Sequence, residues 1–362
     1  MKFNILKLSW ILVLLSIFIP PKLAATQVAD DLSTVNSDVP VLCYHRVLPK
    51  ALSLYDITPA MLEKHFQLFI KNGFHPITAL QYITYQKQPE LFPIKPIVLT
   101  FDDGNKSHYQ YVLPLLKKFG FKATFFIYPS VIARKSTKLI TWDELSEMAH
   151  DGMDIESHTM THPFLTDIKS TLASPPYLKW LDHEFKDSKT TIEKNLNIKV
   201  SLLAYPFGWY NNIIEKEAVE AGYTGIFTVN WGTNSFSENP LRIKRKVISS
   251  SLDLAGLDKY INSRPLAIEI ISPTDSLMIT EIPAIQFKLL NQELKKVNMI
   301  VGKYKGILTP DSQGIFTFAK PGIFKPGYYM IIISGYDDRM QYYLSSWGFD
   351  YRKPLVTSLL AK

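Results

Sequence analysis

Cysteine is the scarcest residue of this 362-residue chain, which has only Cys43. A single thiol excludes an intramolecular disulfide, and Cys43, within an apolar run, is expected to be a small buried residue. Concentrated charge is also lacking. The net charge of +7 is scattered except at residues 242–246, which we interpret as a solvated strand edge. This distribution would attract an anionic surface or polymer, but it argues against nucleic acid as a partner.

Long apolar runs are lacking too, with one exception at the amino terminus. Two lysines precede the run Leu8 to Pro20, and the small residues Ala24 and Ala25 follow it. This pattern predicts a secretory signal peptide over residues 1–25, a linker over 26–37, and a secreted or periplasmic protein. A retained amino-terminal anchor is the alternative, although the apolar core is short for a membrane span.

Strand-like and helix-like segments alternate between residues 38 and 262. Apolar runs predict seven strands, at 39–44, 75–78, 97–101, 122–128, 153–157, 201–205 and 224–229. Four helix-like segments end at a glycine, which accepts the left-handed conformation that terminates a helix: Gly73, Gly120, Gly152 and Gly222. Such alternation indicates a parallel sheet. Polar residues follow the strand ends, which favours a distorted (β/α)7-type barrel, because the loops of a barrel converge on one site.

The pattern changes after Pro265. Short strand-like runs separated by Pro, Asp and Gly turns replace the glycine-ended helices. They predict a small all-β domain, an immunoglobulin-like sandwich, over residues 265–362. The α/β domain is expected to occupy residues 38–262.

Two segments carry residues suited to a metal site. Asp102 and Asp103 follow the strand 97–101, and adjacent carboxylates usually share a cation or a proton because their charges repel. His158 and His162 follow the next strand but one, and two histidines with a carboxylate are typical zinc ligands. Alone, each segment could be a turn or a structural pair. Together they predict a metal-activated hydrolase, with one carboxylate as third ligand and the other as base.

A third segment, Tyr205-Pro206-Phe207-Gly208, follows the strand 201–205. With Trp231, its aromatic side chains could form a flat wall on which a sugar ring lies, although packing in the barrel is the simpler role for each one alone.

In this order, the three segments resemble the motifs of the polysaccharide deacetylases with a NodB homology domain, carbohydrate esterase family 4. The resemblance covers about residues 38–250. Tyr44 and His45, at the end of the first strand, further resemble the branch that de-N-acetylates poly-β-1,6-N-acetylglucosamine of biofilm matrices.

This resemblance implies a distorted (β/α) barrel and assigns roles to the site residues. Asp102 would be the catalytic base, and Asp103, His158 and His162 would bind a divalent metal ion, Zn²⁺ in the first place and Co²⁺ or Ni²⁺ as alternatives. The segment 205–208 would line the sugar site.

The chain departs from the family pattern in two ways. Many members carry an arginine where Ala204 stands, and many end with a Leu-x-His motif whose histidine is the general acid, whereas no histidine follows His183 here. The acid is therefore unassigned. His45 is our candidate to assist, with a structural or substrate-binding role as the alternative.

The resemblance implies removal of N-acetyl groups from an N-acetylglucosamine polysaccharide, in association with the cell envelope or a matrix. Peptidoglycan, chitin and O-acetylated polysaccharides are the alternative substrates. A catalytically weak glycan-binding protein is the rival class, and the β domain could itself bind sugar. The sequence indicates no oligomeric state.

Overall fold

The computed structural model describes residues 38–134, 136–166, 173–273, 276–278, 284–290, 294–319 and 324–352. The predicted signal peptide and linker lie outside these residues. Within the described ranges, no helix is long and apolar enough to cross a membrane.

Strands and helices alternate in the first two thirds of the chain, and strands dominate the rest. The strands are β1 (Asp38–Val39), β2 (Val41–Tyr44), β3 (His75–Ile77), β4 (Pro96–Asp102), β5 (Thr124–Ile127), β6 (Asp154–Ser157), β7 (Leu202–Ala204), β8 (Gly225–Phe227), β9 (Asn234–Ser235), β10 (Lys246–Val247), β11 (Arg264–Pro265), β12 (Ile268–Ser272), β13 (Leu277–Met278), β14 (Ile285–Leu289), β15 (Val297–Val301), β16 (Tyr304–Leu308), β17 (Ile315–Phe318), β18 (Gly327–Tyr336) and β19 (Tyr342–Tyr351). The helices are α1 (Pro59–Lys71), α2 (Ala79–Tyr85), α3 (Leu113–Phe119), α4 (Pro129–Ile132), α5 (Trp142–His150), α6 (Pro175–Asp182), α7 (Ser188–Leu196), α8 (Asn212–Glu220) and α9 (Leu254–Ile261). Single π-helical turns at His108–Val112 and His183–Asp187 lead into α3 and α7, and 3₁₀ turns lie at Pro89–Leu91 and Pro206–Gly208.

Local signals fix the helix ends. Thr58 and Thr141 cap α1 and α5, and Thr141 forms a reciprocal capping box with Glu144. The four glycine junctions predicted from the sequence all have a positive φ, between 67° and 89°. The predicted helix, glycine, strand unit is therefore confirmed.

A parallel sheet of eight strands carries the described α/β part. Seven of its strands lie side by side in the order β10, β2, β4, β5, β6, β7, β8, and β3 pairs with the start of β4. All seven predicted strands are confirmed as β2 to β8, with bounds that differ by at most two residues.

The sheet curls until one segment, residues 243–248, reaches both of its edges. Ile243 exchanges backbone hydrogen bonds with Ile226 and Thr228 at the β8 edge. Three residues later β10 pairs with β2, and the Ile248 amide donates to the Cys43 carbonyl at 2.9 Å. The curled, helix-covered sheet agrees with the barrel architecture predicted from the sequence.

Alternation along β4 separates two buried clusters. Ile97, Leu99 and Phe101 belong to the large cluster under the helices, whereas Val98 belongs to a second cluster with inward residues of the neighbouring strands. Because side chains of a strand alternate between faces, Asp102 shares the face of Val98. Strand register therefore directs this carboxylate into the mouth of the curled sheet.

The described strands of the carboxyl-terminal part form two sheets. One holds six strands, with β11, β19, β18, β15 and β16 in order and β13 on β19, and the other holds β12, β14 and β17. A buried cluster between them includes Phe287, Phe316 and Phe349. The strand-rich character predicted for this part is confirmed, whereas its immunoglobulin-like topology and the exact domain bounds stay predictions. Ile332 and Leu344 also belong to the large cluster of the α/β part.

Candidate active site

Asp102, at the end of β4, is a buried carboxylate paired with a buried arginine. Arg245 Nη1 and Nη2 each donate to one Asp102 oxygen at 2.8 Å, a bidentate pair. Arg245 is fully buried, and it also donates to the Thr228 carbonyl and the Thr100 hydroxyl. Burial alone would raise the pKa of Asp102, but the charges and hydrogen bonds of its neighbours, Arg245 above all, together outweigh burial and hold that pKa well below its usual range. Asp102 is therefore an ionised, fixed carboxylate.

Our interpretation of residues 242–246 as a solvated strand edge is wrong for Arg245. The side chains of Ile243 and Arg245 are both buried, whereas those of Lys244 and Lys246 are partly exposed. This alternation is that of a strand with one inward face, and it places the guanidinium inside the barrel mouth. A period of two in this stretch is the sequence signal that could have identified Arg245 as an inward residue.

Cys43 supports the same carboxylate. It is buried, as predicted, and its Sγ lies 3.4 Å from Asp102 Oδ2 as a weak donor. Burial raises the pKa of the Cys43 thiol, which keeps it protonated and able to donate. Asp102 thus receives hydrogen bonds from two neighbouring segments.

Asp103, His158 and His162 form a second group, which we call the ligand triad. Asp103 Oδ1 lies 3.3 Å from His162 Nε2 and 3.7 Å from His158 Nε2. One ligand atom from each residue lies within 4.8 Å of the others. Asp103 Oδ1 is buried without a hydrogen-bond partner, which is costly unless a cation or water satisfies it. The triad therefore fits a metal ion by its chemistry and its geometry.

The hydrogen bond of His158 fixes which of its nitrogens faces the triad. His158 Nδ1 lies 2.7 Å from the Ala204 carbonyl, which only accepts, so Nδ1 carries the proton and Nε2 keeps its lone pair. Burial lowers the pKa of His158 to about 4. The ring is therefore neutral near pH 7 and suited to bind a metal.

Glu184 and Ser188, which the sequence analysis missed, hold the loop between the two histidines. Glu184 is buried, and its carboxylate accepts from the Met160 and Thr161 amides at 3.0 and 2.9 Å. Ser188 donates to the Thr159 carbonyl at 2.9 Å. These contacts fix a loop in which Thr159 and His162 have a positive φ. No local pattern in the sequence pointed to them, since the partners are more than twenty residues away.

His45 follows β2 and lies beside Asp102. Ligand-type atoms of Cys43, His45 and Asp102 lie within 4.8 Å of one another. His45 Nδ1 is buried without a hydrogen-bond partner, and its carbonyl accepts from His108 Nε2 at 2.8 Å. The structure thus brings the candidate acid to the side of the candidate base.

The aromatic wall differs in membership from the prediction. Phe207 is 41% exposed. Its ring stacks on the Phe164 ring with 3.8 Å between the centroids, and it meets the His162 ring edge to face with 4.9 Å between the centroids. Trp209 lies 5.2 Å from Phe164. We name Phe164, Phe207 and Trp209 the aromatic wall.

The other predicted wall residues have different surroundings. Tyr205 and Pro206 are buried, and the Tyr205 ring packs on Tyr210 rather than facing solvent. Gly208 packs on Val229. Trp231 is half-buried, and Lys246 Nζ lies over its ring, 3.5 Å from the ring centroid. These four residues therefore support the wall from behind or lie apart from it.

Comparisons with known proteins agree with this geometry. Residues 91–226 match the family model for polysaccharide deacetylase, a range that includes β4 and both histidines. The Bacillus subtilis (strain 168) protein YxkH, whose name assigns it to the polysaccharide deacetylases, is 28% identical over 228 residues, 62% of this chain and 76% of that protein.

A second relative is the poly-beta-1,6-N-acetyl-D-glucosamine N-deacetylase of Escherichia coli (strain K12), 24% identical over 61% of this chain. The match spans only 38% of that protein. Among solved structures, the Streptococcus pyogenes deacetylase PplD in complex with acetate superposes with a TM-score of 0.56 and 26% identity. That superposition covers 62% of this chain and 98% of PplD. The chain therefore carries a polysaccharide deacetylase domain, which includes residues 91–226.

Proposed function

We propose that the protein is a metal-dependent hydrolase that removes N-acetyl groups from an N-acetylglucosamine polysaccharide, in the first place poly-β-1,6-N-acetylglucosamine of a biofilm matrix. One observation carries the proposal: an ionised, arginine-bound Asp102 lies next to the ligand triad, with Asp102 Oδ2 3.8 Å from His158 Nε2. A base beside a metal site is what hydrolysis of an unactivated amide needs. The choice of glycan rests on relatives from E. coli and Staphylococcus aureus that are 24% identical.

Asp103, His158 and His162 would hold the metal ion, with Zn²⁺ as the first choice. When bound, such an ion polarises a carbonyl and lowers the pKa of water. The neutral His158 ring and the unpartnered Asp103 oxygen supply the ligand atoms.

The remaining steps belong to the chain's own residues. Asp102 removes a proton from the attacking water as its oxygen adds to the acetyl carbon. The bond from that carbon to nitrogen then breaks as the protonated form of His45 gives its proton to the leaving nitrogen. The products are a free amine and acetic acid, which ionises to acetate, and the proton held by Asp102 returns to His45 to restore the starting state. Arg245 and Cys43 hold the base in place throughout.

Phe207 is proposed to hold the sugar ring. It is the exposed member of the predicted 205–208 segment and lies beside His162, so a ring stacked on it would bring its acetamido group toward the ligand triad. Tyr205, Pro206 and Gly208 would shape the turn that presents Phe207. For Trp231, a contact with the sugar stays a prediction from the sequence. We propose a secreted or periplasmic location, with envelope or matrix association, because the substrate is an exported polymer.

Acetate release from N-acetylglucosamine oligomers tests the function. Asp102→Asn should abolish turnover with the metal content unchanged, whereas His158→Ala should lose both metal and turnover. A His158→Ala protein that keeps metal and activity would contradict the ligand assignment.

Oligomers with different linkages and esters separate the alternatives. Turnover of chitin or peptidoglycan fragments, or of O-acetyl groups, at a higher kcat/KM than the β-1,6 oligomer would transfer the proposal to that substrate. Glycan binding with equal, negligible acetate release by wild type and Asp102→Asn would favour a glycan-binding protein, which the missing Leu-x-His histidine supports.

A further inference from the structure

Three apolar side chains stand exposed on the loop between β2 and α1. Leu52 is 73% exposed, and Leu54 and Tyr55 are each 53% exposed. We name these residues the apolar lip. Three such side chains within four residues form a patch of the kind that soluble proteins keep for a ligand or a partner.

The loop that carries the apolar lip is held rigidly. Asp56 is fully buried, and its carboxylate accepts five hydrogen bonds, from Arg46 Nε and Nη2, from the amides of Leu52 and Ser53, and from the Ser53 hydroxyl. The Ser250 amide donates to the Leu54 carbonyl at 2.7 Å. The lip is thus fixed before any ligand arrives, which reduces the entropic cost of binding.

The lip borders the candidate active site. The Tyr55 ring lies 5.7 Å from the His45 ring, and His45 lies beside Asp102. The aromatic wall lies on the other side of the site, since Phe207 follows β7 and three strands separate β7 from β2 along the sheet on its β4 side. The site therefore lies between the apolar lip and the aromatic wall.

We propose that the apolar lip is a second sugar-binding platform, which holds a neighbouring unit of the same glycan chain while the aromatic wall holds the unit that is deacetylated. The occupant follows from continuity with the catalytic cleft and from chemistry: the C–H face of a pyranose packs on a tyrosine ring and aliphatic side chains. The inference rests on the proposed function and adds a preference within its substrate class. Because two platforms hold two neighbouring sugar units, the enzyme would favour internal units of a polymer over free monosaccharides.

The test compares Tyr55→Ala with Tyr55→Phe, and with Tyr336→Ala as a matched control, because Tyr336 is 43% exposed and lies on the β18 hairpin. Substrates are an N-acetylglucosamine dimer, a pentamer and a small aryl acetate. Removing the ring contact should lower kcat/KM for the pentamer about tenfold in Tyr55→Ala, and leave the aryl acetate within about twofold. Tyr55→Phe and Tyr336→Ala should match wild type on every substrate.

The outcomes separate this proposal from the proposed function. Equal kinetics of wild type and Tyr55→Ala on the pentamer would overturn the platform alone, as would an equal loss on all three substrates, which would indicate an effect through His45. Vesicle binding lost in Tyr55→Ala with pentamer kinetics unchanged would assign the lip to a lipid surface instead. A wild-type protein that cleaves the aryl acetate but no acetylated oligomer would overturn the proposed function and the platform together.

Discussion

Replacing Arg245 by methionine should strongly destabilise the protein. Methionine keeps much of the apolar stem but removes the bidentate bonds to Asp102 and the bonds to Thr228 and Thr100. Both partners of the pair are at most 2% exposed, so water cannot replace the guanidinium. An unpaired carboxylate would remain in the barrel mouth.

The expected loss of unfolding free energy is about 3–5 kcal/mol, the cost of removing one partner of a buried ion pair. Because most of that cost is the stranded charge, Asp102→Asn in the same chain should recover part of it, with a coupling energy above about 1 kcal/mol. Arg242→Met is the matched control. Arg242 pairs with Glu215 through two hydrogen bonds, but its side chain is 34% exposed, so the loss should stay near about 1 kcal/mol.

Guanidinium unfolding at neutral pH of wild type, Arg245→Met, Asp102→Asn, the double variant and Arg242→Met measures these values, and metal analysis shows whether the ligand triad survives. We expect Arg245→Met to retain metal at low temperature while kcat falls, because Arg245 holds the base and contacts no ligand. A loss below about 1 kcal/mol, or strictly additive effects of Arg245→Met and Asp102→Asn, would refute the reasoning.

Three further predictions follow from other parts of the chain. Glu184→Gln should weaken metal affinity about 10- to 100-fold, measured by chelator competition, because the loop between the histidines loses its charged acceptor. Gly208→Ala should cost about 2–4 kcal/mol in unfolding free energy, since its Cβ would lie 2.3 Å from a Val229 methyl at a φ of 71°, whereas Gly120→Ala, with φ 67° and open space, should cost about 1 kcal/mol. Burial raises the pKa of Asp38 to about 6, so the folded state binds more protons than the unfolded state between about pH 4 and 6, and stability falls as pH rises. Asp38→Asn should remove that fall and gain about 1–3 kcal/mol at pH 8 but nothing below pH 4, as followed by urea unfolding across pH.

The sequence predicted the strands and the ligand-type residues because their signals are local. Each glycine after a helix marks where the next strand begins, as at Gly73 and Gly120. Asp102, Asp103 and His158 end or directly follow predicted strands, so the topology alone brought them to one end of the sheet.

The missed residues act across the chain. Arg245 was missed because a run of five residues rich in basic side chains suggests a solvated face. The strand register of this segment directs the Arg245 side chain into the barrel. Tyr205 was predicted to be part of a sugar-binding wall, with packing in the barrel as its simpler role, because aromatic residues at a strand end do not reveal which ring faces solvent. Phe164, from the loop after His162, took its place in the wall. Such choices depend on packing between distant segments, which no local pattern records.

Closure of the sheet by residues 243–248 has a consequence for synthesis on the ribosome. Asp102, His158 and His162 emerge early, whereas the segment that pairs with β2 and β8 and delivers Arg245 follows several seconds later at ordinary rates of translation. Until then β2 is an open edge, and so is β8 once it has been synthesised, and open edges recruit other chains. Asp102 and the ligand triad are thus present before Arg245 arrives to hold the base in place, and the vulnerability of the nascent protein to aggregation ends with the arrival of the same six residues.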